Sequence, residues 1–228
     1  MAHAVSWSGG DGFPGELVVL DDQEAVARRA VELFLQAEPR KVCLAGGRTP
    51  RRAYELLAAS EFPWGETEVF LTDERCLPPG DPGLNWTMIT ESLLSRVPAR
   101  GHRVATELPP DEAAAAYEQE VRAALPFDVT VLGLGADGHT ASLFPGDLDP
   151  APGRLVATSW SAETRARRIT LTLEAINQSE RVVFLVVGAE KAEALRGLVS
   201  GAPIPGAKVR ARRSPTLLCD RPAARLLT

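Results

Sequence analysis

Cysteine is scarce in this sequence, and the little there is organises nothing. Cys43, Cys76 and Cys219 are odd in number and far apart, which excludes a disulfide framework and gives no zinc-ligand spacing. Histidine is equally thin, three residues in 228, so no bound metal is expected. Basic charge is not in excess: 25 Lys and Arg stand against 30 Asp and Glu, a formal net charge of -5. Neither nucleic acid nor an anionic membrane is therefore the expected partner, and an anionic substrate must be attracted locally. No apolar run approaches the roughly 20 residues of a membrane span. The opening MAHAVSWSGGDGFPGE lacks the basic and apolar regions of a secretory signal, so the expectation is a cytoplasmic protein with buried, reduced thiols.

What is present is material for a core, 45% hydrophobic residues with 24% charged, enough for one domain spanning 1–228 with residues 1–16 as a loose lead-in. Gly and Pro are frequent but have no period, which excludes a collagen-like chain. Strands are predicted at 16–20, 41–45, 67–72, 102–108, 127–135, 154–160, 167–172 and 180–188, with a last one at 216–220. Helices are predicted at 21–38, capped by Asp21 or Asp22, and at 51–60, 86–97, 110–125 and 189–201. The segment 127–135, FDVTVLGLG, shows no polar alternation and reads as a strand buried on both faces. Repeated strand-then-helix order predicts an α/β fold with an open, twisted, mostly parallel sheet and helices on both faces.

In such sheets ligands bind beyond the carboxyl ends of the strands, and three loops there are rich in chemistry. AGGRTP places Gly46 and Gly47 after a strand, with Thr49 at a capping position and Pro50 at the first helical position. It is either a phosphate cradle of free backbone N–H groups or a plain capped turn. LTDERCLPPGDPGLN offers Asp73, Glu74, Arg75 and Asn85, a catalytic cluster or a solvated one. VLGLGADGHTASLFPG contains Gly133, Gly135 and Gly138 in the spacing of a dinucleotide-binding turn. However, Pro145 and Gly146 cut short the helix that such a turn must open, and only Glu163 could serve as the ribose acid. A better-motivated reading has the glycines presenting His139, whose near-neutral titration suits a general base, with Asp137 able to orient the ring. A structural role for a lone histidine is the alternative. His3 and His102 have no comparable setting.

Taken together, GGRTP, TDER with DPGLN, DVTVLGLGADGHTASLFPG, RRITLT and FLVVGAEKAEAL resemble, in order and spacing, the 6-phosphogluconolactonases, over about residues 17 to 220. The resemblance implies a Rossmann-like fold and a hydrolase of the oxidative pentose phosphate pathway that needs no cofactor. The expected partner is a sugar-phosphate lactone, the expected assembly a monomer or weak homo-oligomer. It further implies His139 as general base, Asp73, Arg75 and Asn85 lining the site, and Asp137 and Gly138 shaping the His loop. Gly46, Gly47 and Thr49 would meet the 6-phosphate with Arg168 and Lys191. On their own, Arg168 reads equally as a strand-edge charge and Lys191 as a solvated helix residue. Glucosamine-6-phosphate deaminases share a similar turn but follow it with Asn-Glu-Pro, where this chain has Ser142-Leu143-Phe144-Pro145. A deaminase is the alternative enzyme, and a non-catalytic sugar-phosphate-binding module the alternative of another class. The chain departs from the family pattern at Arg48, which adds a phosphate contact or faces solvent, and at Leu84, where a hydroxyl is usual.

Overall fold

A computed structural model describes residues 3–5, 12–146, 152–162 and 164–227. In chain order they form β1 (His3–Val5), β2 (Glu16–Leu20), α1 (Gln23–Ala37), β3 (Lys41–Leu44), α2 (Arg48–Ala58), β4 (Glu68–Leu71), β5 (Asp73–Arg75) and α3 (Asn85–Ile89). There follow β6 (Arg100–Gly101), α4 (Pro110–Ala124), β7 (Val129–Gly133), β8 (Val156–Ser161), β9 (Ala166–Leu171), α5 (Leu173–Ile176), β10 (Arg181–Val186), α6 (Ala192–Val199), β11 (Thr216–Asp220) and α7 (Arg221–Ala224).

Local chemistry explains the long helices. Asp22 caps α1 by accepting from the Ala25 N–H at 2.8 Å, and Glu38 in the left-handed region (φ 44°) ends it before Pro39. Pro110 and the acids Asp111 and Glu112 open α4, where a proline costs no hydrogen bond and negative charge suits the helix dipole. Within the lead-in, His3–Val5 pair antiparallel with β2.

The main sheet runs β1-β2-β11-β10-β7-β3-β4-β6, and every pairing from β2 onward is parallel. Its central strands β7 and β10 are buried along most of their length, as the unbroken apolar run predicts. The connections through α1, α2 and α3 step one way across the sheet, and those through α4, α5 and α6 step the other way. Parallel crossovers are right-handed, so the two sets of helices lie on opposite faces. α2 packs against α1 and α3 on the first of these faces.

Three sequence expectations need correction. The strand predicted at 102–108 is replaced by the two-residue β6, whose ladder ends at the His102 N–H on the Val69 carbonyl. There Arg103 pairs with Glu107 four residues on (2.6 Å) and Thr106 turns back on Val104, a local alternative that ends the ladder. The helix predicted at 86–97 is α3 followed by a π turn over Thr90–Leu94. Asp73, Glu74 and Arg75, expected in a loop, form β5 of a second sheet, antiparallel in the order β5-β9-β8. In that sheet Asp73 lies opposite Thr170, and Arg75 opposite Arg168. His102 is a structural residue, bonded through both ring nitrogens to Glu68 and Glu120 (2.9 and 2.7 Å) and stacked on Phe70.

Candidate active site

Chain connections leave β3 toward β4 but leave β7 toward β10, so the sheet reverses direction between the adjacent strands β3 and β7. The loops after those strands must diverge, and the space between them is where an open α/β sheet binds its ligand. A cleft of about 360 Å³ lies there. Ten of the sequence-predicted residues line it: Gly46, Gly47, Arg48, Thr49, Asp73, Arg75, Asn85, His139, Arg168 and Lys191. Asp137 and Gly138 stand outside the lining and act on its shape through His139.

Each glycine of the loop after β7 has its own environment. A Cβ on Gly133 would meet nothing within 4 Å, whereas one on Gly135 would lie 2.0 Å from Nδ1 of His139 and 2.5 Å from Asp137 Oδ1. The imidazole therefore occupies the space that a side chain at 135 would fill. Gly138 has φ +87°, in the left-handed region, with Ile204 carbons crowding its face. The Gly135 N–H donates to the His139 carbonyl at 2.8 Å, and the Gly138 N–H to the Gly135 carbonyl at 3.0 Å, closing a tight loop. This turn leads into no long helix, so the dinucleotide reading loses its structural partner. Glu163, the acid that reading needs, lies outside the described residues.

His139 Nδ1 lies 2.6 Å from Asp137 Oδ1, and the same oxygen accepts the His139 backbone N–H at 3.1 Å. Burial pushes the Asp137 carboxyl up, but the His139 backbone N–H and ring together outweigh it and hold the group below its ordinary value. An ionised Asp137 is a pure acceptor, so in the neutral imidazole it is Nδ1 that carries the proton and Nε2 that keeps the lone pair. Nε2 has no hydrogen-bond partner among the described residues. The Phe144 ring packs 4.9 Å from the imidazole, centroid to centroid.

Opposite stands the start of the small sheet. Asp73 Oδ1 accepts from Thr72 (3.1 Å) and Oδ2 from Ser142 (2.6 Å), while the Asp73 carbonyl accepts from the Asn85 side-chain amide at 2.8 Å. Gly46 makes room for that amide, since a Cβ there would fall 1.9 Å from Asn85 Oδ1. Glu74 is fully buried and points away from the cleft. Its carboxylate accepts from the backbone N–H groups of Arg75, Asn85 and Trp86 (2.7, 2.8 and 2.7 Å), serving as cap to α3. Burial nevertheless pushes its carboxyl up to about 7.

The far end of the cleft is cationic. Arg75 and Arg168 face each other across the β5–β9 ladder, and the Arg75 guanidinium donates to the Gly83 carbonyl. Arg168 is 6% exposed, forms no ion pair among the described residues, donates to Thr164 Oγ1 (2.9 Å), and leaves Nε without a partner. Burial first, and then the Arg75 cation, push its guanidinium down. Lys191 follows Gly188, whose φ is +103° and whose N–H is held by the buried Asp220 (3.1 Å). The helix behind the glycine loop also begins earlier than expected: Gly47, not Thr49, is the N-cap of α2, and no side chain caps it. Arg48 is exposed at the cleft edge as the first helical residue.

The sequence does not single out Ser142, Phe144, Glu190 or Asp220 as site residues, and it shows Glu74 only as a member of the Asp-Glu-Arg run, not as a helix cap. Ser142, Phe144 and Glu190 line the cleft directly. Glu74 caps a helix eleven residues on, and Ser142 meets an acid 69 residues away. No local spacing signals either contact.

Residues 17–218 match the family model described as glucosamine-6-phosphate isomerases/6-phosphogluconolactonase. The chain is 37% identical over 193 residues to a 6-phosphogluconolactonase of Thermotoga maritima, covering 83% of this chain and 88% of that one. To a 6-phosphogluconolactonase of Haemophilus influenzae it is 32% identical over 223 residues, 90% and 96% of the two chains. A crystal structure of the 6-phosphogluconolactonase from Thermotoga maritima superposes with a TM-score of 0.83 at 35% identity, covering 90% of this chain and 99% of that one. Among the described residues no helix is long and apolar enough to cross a membrane.

Proposed function

The chain belongs to the glucosamine-6-phosphate isomerase/6-phosphogluconolactonase family, and we propose that within it the protein hydrolyses 6-phospho-D-glucono-1,5-lactone to 6-phospho-D-gluconate, with His139 as general base. The observation that carries this reading is the pairing, in one cleft, of an imidazole whose Nδ1 is held by Asp137 at 2.6 Å with a buried guanidinium, Arg168, that forms no ion pair among the described residues. A buried charge without a counter-ion is costly, and Arg75 directly opposite makes it costlier. A substrate phosphate would relieve both costs.

In this reading Nε2 of His139 takes a proton from water as the water oxygen attacks the lactone carbonyl carbon C1. Asp137 stabilises the imidazolium that forms. Negative charge then collects on the former carbonyl oxygen, where the Arg75 guanidinium on the cleft wall is the donor at hand. Collapse of the tetrahedral intermediate breaks the bond between C1 and the ring oxygen, and the imidazolium returns its proton to that leaving oxygen. Gly46, Gly47, Thr49, Arg168 and Lys191 hold the phosphate. Asn85 and Gly138 act on the cleft wall and the His loop. General-base help supplies about 10²–10⁴-fold; positioning through the phosphate and oxyanion stabilisation supply the rest. The setting in this reading is the cytoplasm, and a formal net charge of -5 gives no general pull toward nucleic acid or an anionic membrane.

The test offers both family substrates to the wild-type protein. Consumption of the lactone above its spontaneous rate, with no ammonia released from glucosamine 6-phosphate, supports the reading. Ammonia release without lactone consumption would transfer the protein to the deaminase branch.

A further inference from the structure

Ala141, two residues beyond His139, has φ +49°. An alanine holds that conformation only where its surroundings impose it, because its Cβ crowds the neighbouring carbonyl. Such outliers point to a function for whatever holds them, and here the restraint can be named. Before Ala141 the loop is tied to β7 and its turn, by Thr140 Oγ1 on the Gly133 carbonyl (2.9 Å) and by the Gly135 N–H on the His139 carbonyl (2.8 Å). Ala141 is the second residue of a turn closed by the Leu143 N–H on the Thr140 carbonyl (3.0 Å), and within that turn Ser142 is tied to the other sheet: its N–H donates to Thr170 Oγ1 at 3.1 Å and its hydroxyl to Asp73 Oδ2 at 2.6 Å.

Asp73 and Thr170 are direct partners in the β5–β9 ladder, so both donors of one serine land on one cross-strand pair. Two residues along the same strands stands the Arg75–Arg168 pair. Thr170 is oriented to accept, since its own hydroxyl proton goes to the Leu171 carbonyl (3.0 Å). Ser142 is 2% exposed, and its hydroxyl, though on the cleft wall, is already committed to Asp73.

We propose that Ser142 is a positioning residue: its two bonds to the Asp73–Thr170 pair hold Ala141 left-handed and thereby fix the His139 loop in register with the Arg75–Arg168 pair. The role of Asp73 is then to receive the latch and not to exchange a proton with substrate. The proposal rests on the lactonase reading only for its kinetic readout.

The experiment compares wild type, Ser142→Ala, and Ser142→Ala combined with Ala141→Gly. A glycine adopts φ +49° freely, so it should do without the latch. Ser142→Ala is expected to lower kcat on the lactone by about 10- to 100-fold, the size of effect that misplacing a catalytic group by about 1 Å produces, with KM changed less than about threefold because the cationic end is untouched. Adding Ala141→Gly should restore most of the loss. A second pair, Thr170→Ser and Thr170→Val, keeps and removes the acceptor for the Ser142 N–H; only the valine should lower kcat. The ring resonances of His139, followed by NMR without substrate, should shift in Ser142→Ala and return in the double variant. A kcat near wild type in Ser142→Ala, a rise in KM in place of a fall in kcat, or a loss that Ala141→Gly leaves unrepaired would overturn the proposal. If wild type turns over no lactone, the lactonase reading fails by itself, and unchanged His139 resonances in Ser142→Ala then decide against the latch independently.

Discussion

Adding a single methyl group at Gly135 should disable this protein while leaving it folded. A Cβ at that position falls 2.0 Å from His139 Nδ1, 2.3 Å from Cε1 and 2.5 Å from Asp137 Oδ1, whereas ordinary contact begins at 3.4 Å. The ring must retreat by about 1.4 Å, or the Asp137 bond must break. The backbone at 135 lies outside the positive-φ region that strains side chains, so Gly135→Ala carries no conformational penalty of the kind expected at Gly138. A displacement of about 1 Å of a catalytic group can cost on the order of 10²-fold, equivalent to about 2.7 kcal/mol of transition-state stabilisation. The cationic end is remote from the change, so the loss should fall on kcat with KM nearly constant. Steady-state kinetics on the lactone measure both. Gly133→Ala is the companion: nothing in the protein lies within 4 Å of its Cβ, although Gly133 lines the cleft, so the His139 ring resonances in the ligand-free protein should stay those of wild type. Wild-type kcat in Gly135→Ala would refute the claim that the loop glycine exists to seat the imidazole.

Arg168→Met should raise KM about 10- to 100-fold by removing a charged hydrogen-bond donor, yet raise the thermal midpoint of the ligand-free protein, because it removes a buried cation facing Arg75; calorimetry and kinetics on one sample check both. Gly138→Ala meets both positive φ and Ile204 carbons at 2.8 Å, so its thermal midpoint should fall by about 2–8 °C, from roughly 1–2 kcal/mol of strain. Burial raises the Glu74 carboxyl to about 7 from an ordinary 4.5, so the folded state holds a proton that the unfolded chain releases between those values. The resulting stabilisation is complete below about pH 4.5 and is lost as pH rises through about 7, on the order of 3 kcal/mol. Glu74→Gln should flatten the pH dependence of the denaturant midpoint over that window; an unchanged slope would contradict the assignment.

The parallel sheet was legible because its strands carry unbroken apolar runs and its helices carry their caps next to them in sequence, as Asp22 does for α1. Of the small sheet, β8 and β9 were legible as strands, but β5 was not, nor was their pairing into a separate antiparallel sheet. β5 is three polar residues, Asp73, Glu74 and Arg75, and nothing in them announces a strand until β9, nearly a hundred residues away, lies alongside. The cleft residues were readable because strand-end loops gather them, and ten of those predicted do line one cavity. What local sequence could not carry was how they are held: the Ser142 hydroxyl on Asp73, the Glu74 cap on α3, and Asp220 behind the Gly188 turn all depend on pairings set by the whole fold. The opposite orders of information meet at Gly135, visible as part of a motif but explained only by the ring lying against it.

The most direct test of the central claim follows the disappearance of freshly prepared 6-phospho-D-glucono-1,5-lactone, corrected for spontaneous hydrolysis, with wild type and His139→Ala side by side. The account predicts strong acceleration by wild type and a fall of about 10²–10⁴-fold in kcat for the variant, at little change in KM. A folded His139→Ala protein that keeps near wild-type kcat would contradict it.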